Sequence, residues 1–309
     1  MKKTDRNQLL EKFGERVSFD STEMRLYSHD TASLPGVVKQ LIKRVPEAVV
    51  QPINTEDVAF ITRFAREKKI PLTPRGTASS GWGGAIPTRG GIVVDFSRMR
   101  RILEIDGDKG TARVEAGVIW KNLEYELNKQ GLSLRVYPSS APSATVAGWV
   151  AEGGGGIGSY EYGEVGQSIE SVKLVTADGE SKTVQGSDLE LVTEAEGITG
   201  LITEVVVKTR KADEDIPVVA GFPDLKHLLQ TIQDINQSSL PLWHISLADA
   251  AFVNKQVKAE IDAEKVKPRW GEEGENTATG KVASPQKGYR ALFVYPKSRE
   301  KDIKPALFK

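Results

Sequence analysis

The most chemically suggestive stretch of the sequence is the glycine-rich loop PRGTASSGWGG, residues 74–84. It follows the apolar run IPL and combines one arginine with four glycines and three hydroxylated residues. A loop with so few bulky side chains cannot fill a core, but glycines let successive backbone N–H groups turn toward one point. Such a nest of amides, with the charge of Arg75 beside it, stabilises an anion such as a pyrophosphate. A flexible surface loop is the alternative, whereas a Walker-type nucleotide loop is disfavoured because no Gly-Lys-Ser/Thr follows.

A second glycine-rich segment, TVAGWVAEGGGGIGSYEYG, contains a formal GxGxxG pattern at Gly153, Gly155 and Gly158. That pattern marks a dinucleotide-binding Rossmann fold only where it follows a strand and opens a helix. The preceding residues SATVAGWVAE instead predict a short helix that ends at the glycines. Helix termination is therefore the structural interpretation, and it is compatible with a backbone that approaches a ligand closely. A Rossmann NAD-binding enzyme stays open as an alternative.

A third segment, EAEGITGLITEVVVKTR, joins Gly197 and Gly200 to a strand rich in β-branched residues. Taken alone it predicts only a turn before a strand.

The three histidines suggest no catalytic base: His29 lies near the N-terminus, His227 in an amphipathic helix, and His244 within a strand. Each is interpreted as a structural or exposed side chain.

The composition narrows the class of protein. The 309 residues, 33.8 kDa, predict two domains, and Lys plus Arg equals Asp plus Glu at 42 each. Bulk charge therefore favours neither nucleic acid nor an acidic membrane surface as a partner. No stretch has the length and hydropathy of a signal peptide or a membrane span, which predicts a cytoplasmic protein without a transmembrane segment. Cysteine is absent, so disulfides and cysteine-ligated iron–sulfur clusters within this chain are excluded.

The strands and helices that must position these loops alternate regularly along the sequence. The segment AVVQP predicts a strand, the following NTEDVAFITRFAREKK a helix capped by Asn54 or Thr55, and IPLTP and GIVVDF two further strands. Hairpins are predicted around DGDKG and within SVKLVTADGESKTV, with the helix WKNLEYELNKQG between them. These patterns predict an N-terminal helical segment over residues 1–19 and an α+β domain over residues 20–212.

The composition changes near residue 212, where KADEDIP predicts a charged linker. Beyond it, VVAGF, PDLKHLLQTIQDINQ, LPLWHISLADAAF and YRALFVYP predict a β-α-β-β unit over residues 213–309. The polar segment 258–288 between the last two strands is predicted to be a long surface loop. The final SREKDIKPALFK predicts the first turns of a helix.

The motifs PRGxxxxGxGG, YPSSAPSATVAG, the four-glycine run and EGITGLITE, in this order, resemble the FAD-binding domain of the vanillyl-alcohol oxidase/PCMH family. The similarity is greatest to its glycolate oxidase and D-lactate dehydrogenase branch. Flanking segments agree, among them YSHDTA, GGIVVDFSRMRRILEID and VEAGV. The resemblance covers about residues 20–212. It implies a PCMH-type FAD-binding domain of two α+β subdomains, followed by a partial α/β cap with an antiparallel sheet.

The resemblance also implies which residues bind FAD. The pyrophosphate would be cradled by Pro74, Arg75, Gly76, Thr77, Ala78 and Ser79. The flavin and its ribityl chain would lie along Pro138, Ser139, Ser140, Ala144, Thr145 and Gly148. A second wall would be formed by Gly154, Gly155, Gly158 and Ser159, and the adenine side by Glu196, Gly197, Ile198 and Ile202. Covalent family members carry a histidine or cysteine in these loops; this sequence has neither there, so FAD is expected to be non-covalent.

The sequence departs from that branch in two ways. Where the branch typically reads GGN and TNAGG, this chain has Ala147-Gly148-Trp149 and Glu152 before the glycine run, which changes the expected surroundings of the flavin. In addition, the residues matched to the cap include none of the histidines that the family uses for catalysis or metal binding. No catalytic residue and no metal site are therefore predicted.

The resemblance implies an FAD-dependent oxidoreductase that oxidises a small 2-hydroxy acid by hydride transfer to the flavin. Reoxidation would require an electron-acceptor protein, a quinone or oxygen. A completing segment or subunit is expected to supply the rest of the substrate pocket, and this chain alone is expected to react slowly. The alternative is a non-catalytic FAD-binding or electron-transfer subunit of a multisubunit oxidase.

Overall fold

The chain divides into two units, Met1–Ala212 and Asp213–Lys309, in a computed structural model that describes residues 1–249, 251–252, 255 and 288–307. The first unit contains two sheets, and their inner faces and the helices beside them share one hydrophobic core. That core extends from Leu9 and Phe13 of the N-terminal helix to Trp120 and Val205 near the second sheet. The N-terminal helix is therefore packed into the first unit.

The first sheet carries the first glycine-rich loop at the end of one of its strands. Its strand order is β1-β2-β4-β3, with β2, β4 and β3 parallel and β1 antiparallel to β2. The strands are β1 (Val17–Ser18), β2 (Ala48–Val50), β3 (Leu72–Arg75) and β4 (Ile92–Asp95). The helices of this part are α1 (Lys3–Phe13), α2 (Ser21–Leu26), α3 (Gly36–Leu41) and α4 (Thr55–Lys68).

Helix α4 forms as its sequence predicts. The side chain of Asn54 caps it by accepting a hydrogen bond from the Asp57 N–H at 2.8 Å. Val58 and Ile61 are fully buried, and Thr62 and Ala65 on the same face are buried as well. The helix ends at Lys69, which adopts the left-handed conformation with φ 55°.

The second sheet is antiparallel and carries the other two glycine-rich segments at its periphery. Its strand order is β5-β6-β10-β8-β9, and β7 also pairs with β10. The strands are β5 (Ile102–Asp106), β6 (Thr111–Glu115), β7 (Leu132–Leu134), β8 (Ile169–Val175), β9 (Ser181–Gln185) and β10 (Leu201–Lys211). The helices are α5 (Trp120–Asn128), α6 (Val146–Glu152) and α7 (Ser159–Tyr162). Both predicted hairpins are present, as β5–β6 and β8–β9.

The second unit has the predicted β-α-β-β order. It comprises β11 (Asp215–Phe222), α8 (Leu225–Ser238), β12 (His244–Ala248), β13 (Tyr289–Pro296) and α9 (Glu300–Leu307). The strands form an antiparallel sheet in the order β11-β13-β12, and buried Leu228, Phe293 and Ile303 belong to its own core. The predicted long loop over residues 258–288 lies outside the described residues, apart from Gly288.

The predicted linker KADEDIP is shorter in the structure. Strand β10 continues to Lys211 and β11 begins at Asp215, so only residues 212–214 connect them. Ile216 packs against the core of the second unit, which draws this end of the segment into the sheet. Pro217 is tolerated because β11 is an edge strand, where a missing N–H need not break a ladder.

Asp57 ties the N-terminal segment to α4. Its side chain is almost fully buried and forms ion pairs with Arg16 and, at 3.3 Å, with Lys12. Its Oδ2 atom also accepts a hydrogen bond from the Ile53 N–H at 3.3 Å. Burial alone would raise the pKa of Asp57, but the hydrogen bonds from Arg16, Ile53 and Lys12 outweigh it and hold the pKa below the ordinary 3.8.

Replacing Asp57 with Asn should lower the free energy of unfolding by about 2 kcal/mol at neutral pH, because Arg16 and Lys12 lose a buried counter-charge. Since folding lowers the pKa of Asp57, this contribution is complete above 3.8 and disappears as the pH falls through the folded value. Urea unfolding at neutral pH and at a pH well below 3.8 measures both effects.

The exposed pair of Glu67 with Lys68 supplies the control, since Glu67→Gln should change the free energy of unfolding by no more than about 0.5 kcal/mol. A difference between Asp57→Asn and the parent protein that stays constant across the two pH values would contradict the assignment.

Candidate functional site

The first glycine-rich loop leaves β3 with a row of unused backbone donors. Within the described part of the chain, the N–H groups of residues 76–80 donate hydrogen bonds to no protein acceptor. Ala78 in the middle of this row has φ 54°, a left-handed conformation that costs a residue with a Cβ about 1 kcal/mol or more. Alternation of handedness turns neighbouring amides toward a common point. The loop therefore has the free amides and the local geometry that an anion cradle requires, and residues 76–80 are called the cradle below.

Thr145 holds this cradle against the start of α6. The Thr145 hydroxyl caps the helix by accepting a hydrogen bond from the Gly148 N–H at 3.2 Å. A Cβ atom on Gly76 would lie 2.3 Å from Thr145 Oγ1, and one on Gly148 would lie 2.7 Å from the same atom. The Thr77 hydroxyl also donates to the Ser143 carbonyl oxygen at 2.6 Å. Close approach to Thr145, rather than a positive φ, is why residue 76 must be glycine.

The cradle and α6 form two walls of a cleft that encloses about 930 Å³, part of it open to solvent. Most of the predicted FAD-binding residues line it. These are Pro74, Arg75, Gly76, Thr77, Ala78, Ser79, Ser140, Ala144, Thr145, Gly148, Glu196, Gly197 and Ile202. The structure thus brings parts of three of the four sequence motifs to one surface, and the four-glycine run is the exception.

The remaining predicted residues lie away from the lining of this cleft: Pro138, Ser139, Gly154, Gly155, Gly158, Ser159 and Ile198. The four-glycine run contacts neighbouring parts of the same chain. The Gly154 N–H donates to the Glu194 carboxylate at 3.3 Å, and a Cβ on Gly156 would lie 2.3 Å from the Tyr137 carbonyl oxygen. Ile198 is 86% exposed. The run therefore serves as a tight turn after α6 in this structure.

Several lining residues were not among the predicted FAD-binding residues, although Ala147, Trp149 and Glu152 were expected to change the surroundings of the flavin. They are Ser80, Gly84, Ala85, Phe96, Ala116, Ala147, Trp149, Ala151, Glu152 and Gly200. A signal for some of them exists, because Phe96 and Ala116 lie in the flanking motifs GGIVVDFSRM and VEAGV. Trp149 packs edge-on against Trp120, with ring centroids 5.3 Å apart, and so presents a fixed apolar surface to the cleft.

Arg75 supplies the positive charge beside the cradle, and neighbouring side chains and carbonyl groups hold it in place. The Arg75 guanidinium donates to the His29 carbonyl oxygen at 2.8 Å and lies 5.1 Å over the Tyr27 ring. The Tyr27 hydroxyl donates to Asp95 at 2.7 Å, and burial together with this bond raises the Tyr27 pKa. Burial lowers the pKa of Arg75, yet an arginine starts so far above neutrality that it stays charged. The cradle therefore keeps a fixed cation beside its amides.

Two carboxylates line the same cleft. Glu152 accepts a hydrogen bond from the Ser80 hydroxyl at 3.0 Å, and the Glu196 carboxylate lies beside Gly84, 3.7 Å from where a Cβ atom on that glycine would be. A carboxylate repels phosphate but accepts hydrogen bonds from hydroxyl and N–H groups. The cleft thus combines an anion-binding part with a part suited to neutral donor groups, which fits a long ligand with both kinds of group.

None of the three histidines lines the cleft. His29 is exposed, and His227 is an exposed partner of Asp224, with the two side chains 2.8 Å apart. His244 is buried on β12, where desolvation lowers its pKa and favours the neutral form. Among the residues that the structure describes, no cluster of His, Cys, Asp and Glu could hold a metal ion.

Comparison with known proteins identifies the family of the domain that carries this cleft. Residues 46–185 match the family model for the FAD binding domain. The chain is 32% identical over 241 residues to the glycolate oxidase subunit GlcD of Bacillus subtilis, covering 74% of this chain and 50% of that protein. It is 34% identical over 204 residues to a D-lactate dehydrogenase of Archaeoglobus fulgidus, covering 63% and 46% respectively. The chain thus spans about half the length of the curated relatives it matches.

The fold is also found among solved structures. An alkyldihydroxyacetonephosphate synthase structure superposes with a TM-score of 0.81 over 100% of this chain and 58% of that one, at 22% identity. At this identity the likeness concerns the fold alone, and it confirms the predicted α+β architecture. No helix in the described residues has the length and apolar character needed to span a bilayer. Through its residues 46–185 the chain belongs to the PCMH-type FAD-binding domain family, in the branch of the glycolate oxidase subunit and the D-lactate dehydrogenases.

Proposed function

We propose that the chain is the FAD-binding part of an oxidoreductase that oxidises a small 2-hydroxy acid of the glycolate or D-lactate type. The observation that supports it most is the cradle of unused amides at residues 76–80, facing a cleft in a domain of this family. When bound, FAD supplies a two-electron acceptor. The relatives named as glycolate oxidase subunit and D-lactate dehydrogenase support the hydroxy-acid substrate class.

The residues of the cleft fit FAD in charge and in shape. The cradle amides and Arg75 suit the pyrophosphate, and the helix start at Thr145 adds the partial positive charge of its first turn. Glu152 and Glu196 suit the hydroxyl and N–H groups of the rest of the molecule. Trp149 and the small side chains beside it leave a flat apolar wall against which a ring system can lie.

FAD is proposed to be held without a covalent bond. The chain contains no cysteine, and neither histidine nor tyrosine lines the cleft among the described residues. Affinity must then come from the cradle, the apolar wall and the two carboxylates. The helix Val146–Glu152 occupies the place directly before Gly153 where a Rossmann fingerprint requires a strand, so the NAD-binding alternative lacks its structural context.

A second candidate function is an FAD-binding or electron-transfer subunit without its own substrate site. It is favoured by the same lining, because the described cleft residues include no imidazole, and the two carboxylates that could act as a general base, Glu152 and Glu196, are assigned to the hydroxyl and N–H groups of the cofactor. In this case the acceptor protein, quinone or oxygen would exchange electrons with the flavin, and another chain would bind the substrate. The two candidates share the cofactor site and differ in what reduces it.

Replacing Gly76 with Val should weaken FAD binding by roughly 10–100-fold, because the new side chain overlaps Thr145 and displaces the cradle. The measurement is the FAD-to-protein ratio of the purified variant after desalting. Gly107→Val is the matched control, since Gly107 lies in the β5–β6 hairpin and a Cβ atom added to it would have no neighbouring atom within 4 Å. Equal FAD content in the two variants would overturn the assignment of the cradle.

Acid precipitation of the flavin-loaded protein should release all FAD into the supernatant, because the described cleft residues include no cysteine, histidine or tyrosine for a covalent link. The absorbance of supernatant and pellet measures the distribution. The intact mass of the washed polypeptide is the control and should equal that of the sequence. Flavin retained in the pellet, with a matching increase in mass, would contradict non-covalent binding.

Anaerobic mixing with glycolate or D-lactate should bleach the flavin absorbance, at a rate that saturates with the concentration of the acid. Dithionite serves as the control for a reducible flavin. Bleaching by dithionite but by neither hydroxy acid would contradict the proposed substrate class and favour the electron-transfer subunit.

A further inference from the structure

An exposed apolar helix lies on the surface of the first unit. Helix α3 (Gly36–Leu41) buries none of its side chains. Val37 is 70% exposed, Leu41 79%, and Val45 beyond the helix 51%. Val37 and Leu41 are four residues apart and share a helix face. Exposed apolar side chains that cluster in this way mark an interaction surface more often than isolated ones do.

A second segment extends this surface. The loop 81–90 follows the cofactor cradle, and its Trp82 is 81% exposed. Hydrogen bonds hold the two segments together: just before them, the Thr31 hydroxyl donates to the Ser80 carbonyl oxygen at 2.6 Å, and within them the Lys43 N–H donates to the Thr88 carbonyl oxygen at 3.0 Å. Residues 33–45 and 81–90 together form one surface, named the docking patch.

The docking patch is strongly basic in a chain whose net charge is zero. It contains Lys39, Lys43, Arg44 and Arg89, and neither segment contains an aspartate or a glutamate. None of the four cations forms an ion pair within the part of the chain that the structure describes. Their charge is therefore available to an anionic partner.

We propose that the docking patch binds the surface of an anionic lipid bilayer. Exposed valine, leucine and tryptophan beside lysine and arginine form the composition of interfacial membrane-binding segments. Protein–protein interfaces are enriched in tryptophan and arginine but depleted in lysine, so Lys39 and Lys43 are the residues that favour lipid over protein as the occupant. Apolar side chains enter the headgroup region while the cations contact lipid phosphates. This is docking on one face of the bilayer and requires no spanning helix.

Docking in this way brings the cofactor cleft close to the lipid. Gly84 and Ala85 belong to the docking patch and also line the cleft. A lipid-soluble electron acceptor would then reach the rim of the cleft without leaving the bilayer. The binding itself is independent of the proposed reaction, so it is tested without any activity measurement.

The test is sedimentation of the whole chain with phosphatidylcholine vesicles, with and without phosphatidylglycerol. We expect binding to the anionic vesicles alone, weakening with added salt. Replacing Lys39, Lys43 and Arg44 together with Gln should reduce the vesicle partition coefficient by roughly 100-fold. Replacing Val37 and Leu41 together with Ser should reduce it on the order of tenfold or more.

Matched variants elsewhere on the surface provide the controls. Lys121, Lys182 and Lys226 changed together to Gln remove the same charge, and Leu191 and Val219 changed to Ser remove similarly exposed apolar side chains. Both control variants should bind anionic vesicles as the parent protein does. Equal losses in patch and control variants would overturn the proposal, because they would indicate a response to total charge or hydrophobicity.

Trp82 gives a second readout that does not depend on a multiple variant folding. Addition of anionic vesicles should shift the tryptophan emission to shorter wavelength, and Trp82→Phe should abolish the shift. Absence of vesicle binding by the parent protein, or an unchanged shift in Trp82→Phe, would refute the docking patch. Retention on immobilised polyglutamate without vesicle binding would assign the patch to an acidic protein and would equally overturn the proposal.

Discussion

The contact between the first glycine-rich loop and Thr145 is the constraint on which the cofactor site depends. An anion cradle needs backbone amides that have no protein acceptor, and such amides gain no stability from the fold. The loop must therefore be positioned through its other side. Glycine at residues 76 and 148 lets two backbone segments approach one hydroxyl, and that hydroxyl also caps α6. The Thr145 side chain thereby connects two elements: the first sheet, which carries the loop, and helix α6, which forms the opposite wall.

The first two glycine-rich segments differ in what their backbone amides bind. The amides of the first loop are left for a ligand, whereas those of Gly154 and Gly156 are taken by Glu194 and Ser159. Glycine content alone does not distinguish the two, since both segments need close approach or positive φ. What distinguishes them is where the acceptors lie. The second segment has carboxylate and hydroxyl acceptors in its own neighbourhood, and the first faces a cleft.

The charged residues of this chain are unevenly distributed over the folded protein, although its net charge is zero. Equal numbers of acidic and basic residues suggest a protein without an electrostatic preference. In the fold, however, two segments without acidic residues lie side by side, while acidic side chains such as Glu152 and Glu196 line the cleft. Partners respond to the local field within about 10 Å rather than to the net charge. A neutral chain can therefore carry both a basic surface and an acidic cleft wall.

The sequence by itself determined the elements and the chemistry of the first loop. Local signals did this: the Asn54 cap, the β-branched residues of β10, the hairpin turns and the run of small residues at 74–80 all act over a few residues. The linker was predicted too long because the pairing of Asp215–Phe222 with β13 is a contact distant in sequence. Only the tertiary structure decided that Ala116, Trp149 and Gly200 share a cleft with the cradle, and that 33–45 lies against 81–90. These placements depend on how sheets and loops from separate parts of the chain pack together, and no local pattern encodes that packing.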